Sequence, residues 1–247
     1  MSPRITWAVA ARVLVQLRRD HRTLAMLLVL PCLVLTLLWW MFRDTGSGVG
    51  FTALGPPLLA LIPFIVMFLV TSVTTLRERS SGTLERLLSM PTGKADFLLG
   101  YALAFGLVAV VQSGLAVALS VGLLGLDVAG PTWMLVVVAV ADAVLGTALG
   151  LFVSAFARTE FQAVQFMPLF VVPQLLLCGL FLDRDLMPRV LEAVSDVLPL
   201  SYAVDAMTAV TGAAGVGEDL LRDLAVVVGF AVAALAGGAA TLRRRTA

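Results

Sequence analysis

Residues 77–91 read Arg-Glu-Arg-Ser-Ser-Gly-Thr-Leu-Glu-Arg-Leu-Leu-Ser-Met-Pro, a charged cassette set between two long apolar stretches. Gly82 permits a break after the preceding helix, and Glu85 falls in the first turn of a following one, where the helix dipole favours an anion. Leu84, Leu87 and Leu88 then make one apolar stripe, which Pro91 ends. Apolar knobs framed by charges of both signs suit protein recognition, a short helix seated in a partner's groove. A plain loop between membrane helices accounts for the charges but has no topological use for Gly-Thr-Leu-Glu-Arg-Leu-Leu.

The other polar groups of interest lie inside apolar runs. Asp142 is the sharpest, because a carboxylate within a membrane span is costly and faces protein or a water-filled path. It reads either as a lining of a translocation path or as a packing carboxylate bonded to a neighbouring helix. Gln112, Gln165 and Gln174 carry the same two readings more weakly, and Met67, Phe166 and Phe170 suit an adaptable apolar path as well as a core. Gly146 and Gly150 read as close helix packing. No G-x-x-x-x-G-K-[ST] phosphate loop occurs, so ATP is not cradled that way, and H-E-x-x-H and G-x-S-x-G are absent too. With one histidine, His21, and with Cys32 and Cys178 in apolar runs, neither a zinc site nor a disulfide framework is expected. The chain therefore carries no catalytic constellation and no cofactor of its own.

These residues are positioned by membrane helices. The chain is 60% hydrophobic and 13% charged, with a mean hydropathy of +1.01, whereas about a quarter of residues in soluble domains are charged. Its net charge of +1 offers no general attraction to nucleic acid. Six runs approach the roughly 20 residues that a helix needs to cross a bilayer, near 23–42, 54–76, 97–125, 132–157, 162–182 and 222–242. With both termini inside, only Arg43, Arg184, Arg189 and Arg222 of the 17 basic residues fall outside, which sets the orientation. The leader before the first run lacks a signal peptide's cleavage site, so the first span is expected to stay.

Residues 1–22 form the first unit. Ile5, Val9, Val13 and Leu17 recur every four residues, with Arg12, Gln16 and Arg19 on another face and Trp7 as an anchor. The segment reads as a helix lying on the cytoplasmic membrane surface or as a basic leader that sets topology. Residues 23–247 are the six-span unit, with a cytoplasmic loop at 77–96 and an external segment at 183–221. In the latter, Leu186, Val190, Leu191, Val194, Val197 and Leu198 share a helical face, read either as short re-entrant helices or as an amphipathic cap on the surface. The fold class is thus an all-α polytopic membrane protein with an N-terminal interfacial helix and short helices before the last span.

Arg77-Glu78-Arg79, then Gly82-Thr83-Leu84-Glu85-Arg86-Leu87-Leu88 and Pro91, with Leu98-Leu99-Gly100 opening the next span, resembles the cytoplasmic loop of ABC-2 family permeases. Gly150-Leu151, Ser154, Pro173 to Gly179, Met187-Pro188 and Pro199-Leu200-Ser201-Tyr202-Ala203 are similar to later blocks of that family, in the same order. Ser80-Ser81, Cys178 and Asp183 depart from its usual pattern. The resemblance implies that the cassette is a coupling helix docking on a separate cytoplasmic ABC ATPase, which holds ATP and Mg. It further implies a second copy of the chain or a similar permease as partner, and location in a bacterial cytoplasmic membrane. An amphiphilic, drug-like molecule is the expected exported cargo, ahead of a lipid or lipid-linked glycan. A non-transporting membrane anchor or sensor would use the same loop.

Overall fold

The structure is a computed structural model that describes residues 2–43, 51–80, 94–213 and 215–241. The regular elements among the described residues are all helices: α1 Pro3–Arg19, α2 His21–Phe42, α3 Phe51–Ser80, α4 Lys94–Gly122, α5 Thr132–Ser154, α6 Glu160–Leu177, a 3-10 turn Arg184–Leu186, α7 Arg189–Ser195, α8 Pro199–Gly212 and α9 Glu218–Thr241. Six of them, α2 to α6 and α9, are long and apolar enough to cross a membrane. Each interior proline removes a backbone donor and frees a carbonyl, yet α3 continues through Pro56, Pro57 and Pro63 and α6 through Pro168 and Pro173, because within a bundle neighbouring helices and local adjustments of the turn re-satisfy the freed groups.

The centre of the bundle is the α3–α5 pair. A Cβ at Gly146 would lie 2.5 Å from the Phe64 carbonyl oxygen, and one at Gly150 would lie 2.5 Å from that of Phe68. Only glycine lets the backbones approach so closely, and the four-residue spacing keeps both on one face. Around this seam, Leu59, Phe64, Phe68, Leu135, Leu145, Leu200 and Met207 form a fully buried core. Such a seam must be exact in shape, because lipid tails offer no hydrophobic drive for helices to associate and close packing supplies the attraction instead.

The fifth span ends earlier than its apolar composition suggests. Phe181 and Leu182 extend the apolar run, yet the helix stops at Leu177 because Gly179 adopts φ +92°, a left-handed C-terminal turn that side chains disfavour. The third span stops at Gly122 and is followed by Gly125 at φ +69°. In the segment 183–221, the apolar face of Leu186, Val190, Leu191, Val194, Val197 and Leu198 is left largely uncovered by the chain. Leu186, Val190, Val194 and Val197 are exposed, while α8 is the packed element, burying Leu200, Ala203, Val204, Ala206, Met207 and Val210. Ser195 Oγ donates to the Leu177 carbonyl (2.7 Å) and Gln174 Oε1 accepts from the Leu200 amide (3.3 Å), fastening α7 and α8 to the end of α6.

Candidate functional site

Arg77 and Glu78 end α3 at the start of the 77–96 loop, and Asp96 stands in the first turn of α4 where the loop returns. Gly82, Thr83, Leu84, Glu85, Arg86, Leu87, Leu88 and Pro91 lie outside the described residues, as does the side chain of Arg79. Glu78 and Asp96, at the two roots of the loop, are both held by α1.

The sequence makes α1 a helix with two useful faces. Val9, Ala10, Val13 and Leu17 are buried in a core shared with Leu98, Tyr101 and Phe105 of α4. Gly100 allows this contact, since a Cβ there would meet Val9 at 2.6 Å. The apolar face is thus covered by protein, and α1 is fixed to the bundle rather than resting only on lipid. Asp20 closes the elbow between α1 and α2: its carboxylate accepts the Thr23 hydroxyl (2.7 Å) and amide (3.1 Å), which together hold it below the usual carboxylate range.

That seating turns the polar face of α1 toward the loop roots. Arg12 Nη2 donates to Glu78 Oε2 at 2.8 Å, and Gln16 Nε2 donates to Glu78 Oε1 at 3.1 Å. At the beginning of the same helix, the Ser2 amide donates to Asp96 Oδ1 at 2.9 Å, joined by the Thr6 hydroxyl at 3.4 Å. Asp96 is buried and acts as a helix cap supplied by another helix, since Ser2 makes no side-chain cap of its own. Thr6 and Arg12 are six residues apart, about 9 Å along the axis, so one rigid rod joins both ends of the loop.

A third tie runs to α6. Arg77 Nε and Nη2 donate to the two oxygens of Glu160 at 2.9 and 3.0 Å, a bidentate fork. Thr159 caps α6 by accepting the Gln162 amide at 3.1 Å, which fixes Glu160 at the first helical position. The pair is half exposed and contributes little stability. Its geometric effect is to link the end of α3 to the start of α6.

The structure does not bring the intramembrane candidates into one site. Asp142 and Gln112 are wholly buried within the chain, and their carboxyl and amide atoms have no hydrogen-bond partner among the described residues. They lie on α5 and α4, which Ser113 Oγ joins by donating to the Ala139 carbonyl at 3.1 Å. Met67 packs in the α1–α4 core, while Phe166 and Phe170 pack against the main one. Gln174 is occupied near the C-terminal end of α6, and Gln165 is exposed on the same helix. No group of three or more metal-ligating side chains occurs among the described residues.

Sequence reasoning missed Asp96, Ser2, Thr6 and Glu160. The shared polar face of Arg12 and Gln16 was the signal for the clamp, but nothing local named Glu78 as its target. Also missed was a network at the opposite end, where Arg184 pairs with both Asp196 and Asp205 and lies 5.4 Å over the Tyr202 ring. Burial raises the Asp205 carboxyl, with Arg184 pulling against that shift. Burial also disfavours the charged Arg184, but the two aspartates outweigh it and hold the guanidinium charged.

Residues 4–211 match the family model described as ABC-2 type transporter. The chain belongs to the ABC-2 type transporter family. Among ABC-2 relatives, it is 26% identical over 203 residues to the Linearmycin resistance permease protein LnrN of Bacillus subtilis, covering 81% of this chain and 50% of that protein. It is 28% identical over 155 residues to the Inner membrane transport permease YhhJ of Escherichia coli, covering 62% and 41%. It is 25% identical over 178 residues to the Probable multidrug ABC transporter permease YbhS of Escherichia coli, covering 72% and 47%. The chain thus spans half or less of the length of these curated relatives. The ABC-2 match extends from α1 nearly to the end of α8, so both loop roots and every clamp residue but Ser2 lie within it.

Proposed function

We propose that this chain is the membrane-spanning permease subunit of an ATP-binding-cassette exporter, powered by a separate ATPase subunit that docks on the loop from Arg77 to Pro91. The observation that carries this reading is the clamp: one helix holds both roots of the loop, through Glu78 and Asp96. A push on a loop held only by its own chain would be lost in local bending. A push on this loop moves α1, α3 and α4 together, and through Arg77 and Glu160 it reaches α6. The ATPase supplies ATP and Mg, and its closure tilts the loop from the cytoplasmic side, where both termini lie.

A second copy or a similar permease completes the transporter. The exposed apolar side chains of α6, among them Phe161, Leu169 and Leu176, offer it a face. Asp142 and Gln112 supply polar groups to a path that opens as α4 and α5 separate. The names of the relatives, linearmycin resistance and multidrug permeases, favour an amphiphilic small molecule as cargo.

The test is to purify the tagged chain gently from native membranes and identify its stoichiometric partner, beside a Leu84→Asp, Glu85→Arg variant. A P-loop ATPase retained by the parent and lost by the variant supports the reading and its docking site together. A stoichiometric partner of another kind, with no ATPase, overturns it in favour of an anchor or sensor.

A further inference from the structure

We propose that Asp142 is the counter-ion of a lipophilic organic cation that binds where α3, α4 and α5 meet, so that the exported molecule carries a positive charge. That this ligand is cargo rests on the exporter function proposed above. That it binds at Asp142 rests on the bundle itself.

Asp142 lies midway along α5 and is wholly buried, and neither of its carboxyl oxygens has a hydrogen-bond partner among the described residues. A carboxylate so placed needs a balancing charge, and the surrounding spans hold none. No Lys, Arg or His occurs between Lys94 and Arg158, in α3 before Arg77, or in α6. Protonation would leave a buried O–H donor without an acceptor instead. Neither form of the side chain is matched within the chain, and intramembrane carboxylates act as ligand counter-ions or mark ion pathways.

Gln112 of α4 is also wholly buried, with both amide atoms unpartnered among the described residues. Ser113 Oγ donates to the Ala139 carbonyl, which sets the register of α4 against α5. Gln112 lies one residue and Asp142 three residues from that contact, both toward the end of the bundle where Leu98 and Leu151 pack together. The two side chains therefore start within about 3 Å of the same depth. Asp142, Gly146 and Gly150 share one face of α5, and Gly146 and Gly150 abut the Phe64 and Phe68 carbonyls, so α3 supplies the other wall. Along it, Phe64 and Phe68, then Phe68 and Phe170, have ring centroids 6.4 and 6.5 Å apart, and aromatic faces attract cations. Beside Gly150, the buried Thr71 and Ser72 hydroxyls also lack partners among the described residues, which continues the polar line toward Arg77.

The donor set decides which cation. Asp142 and Gln112 together offer three side-chain oxygens, whereas hard metal ions such as calcium and magnesium take about six or more. A large organic cation needs one counter-ion and apolar or aromatic walls, which this junction provides. An anion would be repelled, and a neutral molecule would leave Asp142 unbalanced. Glycine holds α3 against α5, so access falls to α4, whose first turn carries the loop root Asp96.

The experiment uses the full chain in lipid nanodiscs and two probes of one shape and opposite charge, tetraphenylphosphonium and tetraphenylborate, in separate samples. Tritiated tetraphenylphosphonium should bind saturably to the parent. Asp142→Asn should weaken binding at least about thirtyfold, the low end for removing one partner of a buried charge pair, and Asp142→Glu should keep part of it. Asp127→Asn, at an exposed carboxylate between α4 and α5, should leave binding unchanged, and variants are compared where they melt with the parent. In the parent alone, dicyclohexylcarbodiimide labelling of Asp142, located by peptide mass spectrometry, should slow about tenfold with tetraphenylphosphonium at roughly ten times its Kd. Tetraphenylborate should not slow it. An Asp142 that never reacts, equal protection by both ions, or binding indifferent to Asp142→Asn overturns the proposal. Protection by the cation in a chain that yields no ATPase partner supports the site and ends the exporter reading, whereas ATP-driven export of both probes alike does the reverse.

Discussion

The clamp on the loop is the feature most open to a quantitative test. Arg12→Ala removes the charged donor from Glu78 while leaving Gln16 in place. Hydrogen bonds to charged groups contribute roughly 1.5–3 kcal/mol. With side chains 29% and 14% exposed and Gln16 still bonded, the lower end applies, about 1.5 kcal/mol. This amount raises the population of the locally opened state of α1 about tenfold. Val13 reports on that opening, since it is buried one residue from Arg12. In a background where Cys32 and Cys178 are alanine, maleimide labelling of Val13→Cys should accelerate about tenfold on adding Arg12→Ala. Arg12→Glu alone should accelerate it further, because two carboxylates then face each other. Combining Arg12→Glu with Glu78→Arg should return the rate to within about threefold of the parent. Labelling unchanged within twofold in Arg12→Ala, or a charge exchange that fails to restore protection, would refute the claim that this ion pair holds α1 to the loop.

Two further predictions concern the bundle and the cap formed by α7 and α8. Gly146→Ala and Gly114→Ala both gain about 1 kcal/mol of helix propensity. Only the former drives a Cβ to 2.5 Å from a backbone oxygen, whereas the latter meets nothing within 4 Å. Overpacking of about 3 kcal/mol at Gly146 leaves a net loss near 2 kcal/mol, so thermal unfolding in detergent should fall by about 4–8 °C while Gly114→Ala does not fall; equal shifts would disprove the close α3–α5 seam. At the cap, burial raises the Asp205 carboxyl above its unfolded value, so the folded state holds its proton more tightly. This contribution is full below the ordinary aspartate range and is lost as pH rises through the folded value. Asp205→Asn lacks this contribution, so its melting temperature relative to the parent's should fall as pH drops from 7 to that range, and a difference that does not change with pH would contradict the assignment.

Much of the architecture is written in local pattern. Six apolar runs of bilayer length need only composition, because a lipid environment leaves the backbone no alternative to helix. The Gly146 and Gly150 pair was readable for a similar reason: its spacing puts both on one helix face, and small residues there have few uses other than close approach. The polar face of α1 was visible too, as the shared side of Arg12 and Gln16.

What those groups hold was not readable. Glu78 lies 66 residues from Arg12, and Asp96 lies 94 residues from Ser2. A charge has no directional preference among distant partners of opposite sign, so the choice is made only when Val9, Val13 and Leu17 seat α1 against α4. The segment 183–221 shows the same division. Its apolar residues were plain, but an amphipathic period of 3.6 says that a face exists and not which neighbour covers it. Ser195 and Gln174 decide that by binding the ends of α6 and α8, which buries α8 and leaves Val190 and Val197 outside. Sequence alone set which segments are helices and which faces are apolar or charged. Tertiary structure alone decided which of those faces meet, because burial and pairing energies are summed over contacts that only the assembled bundle brings within reach.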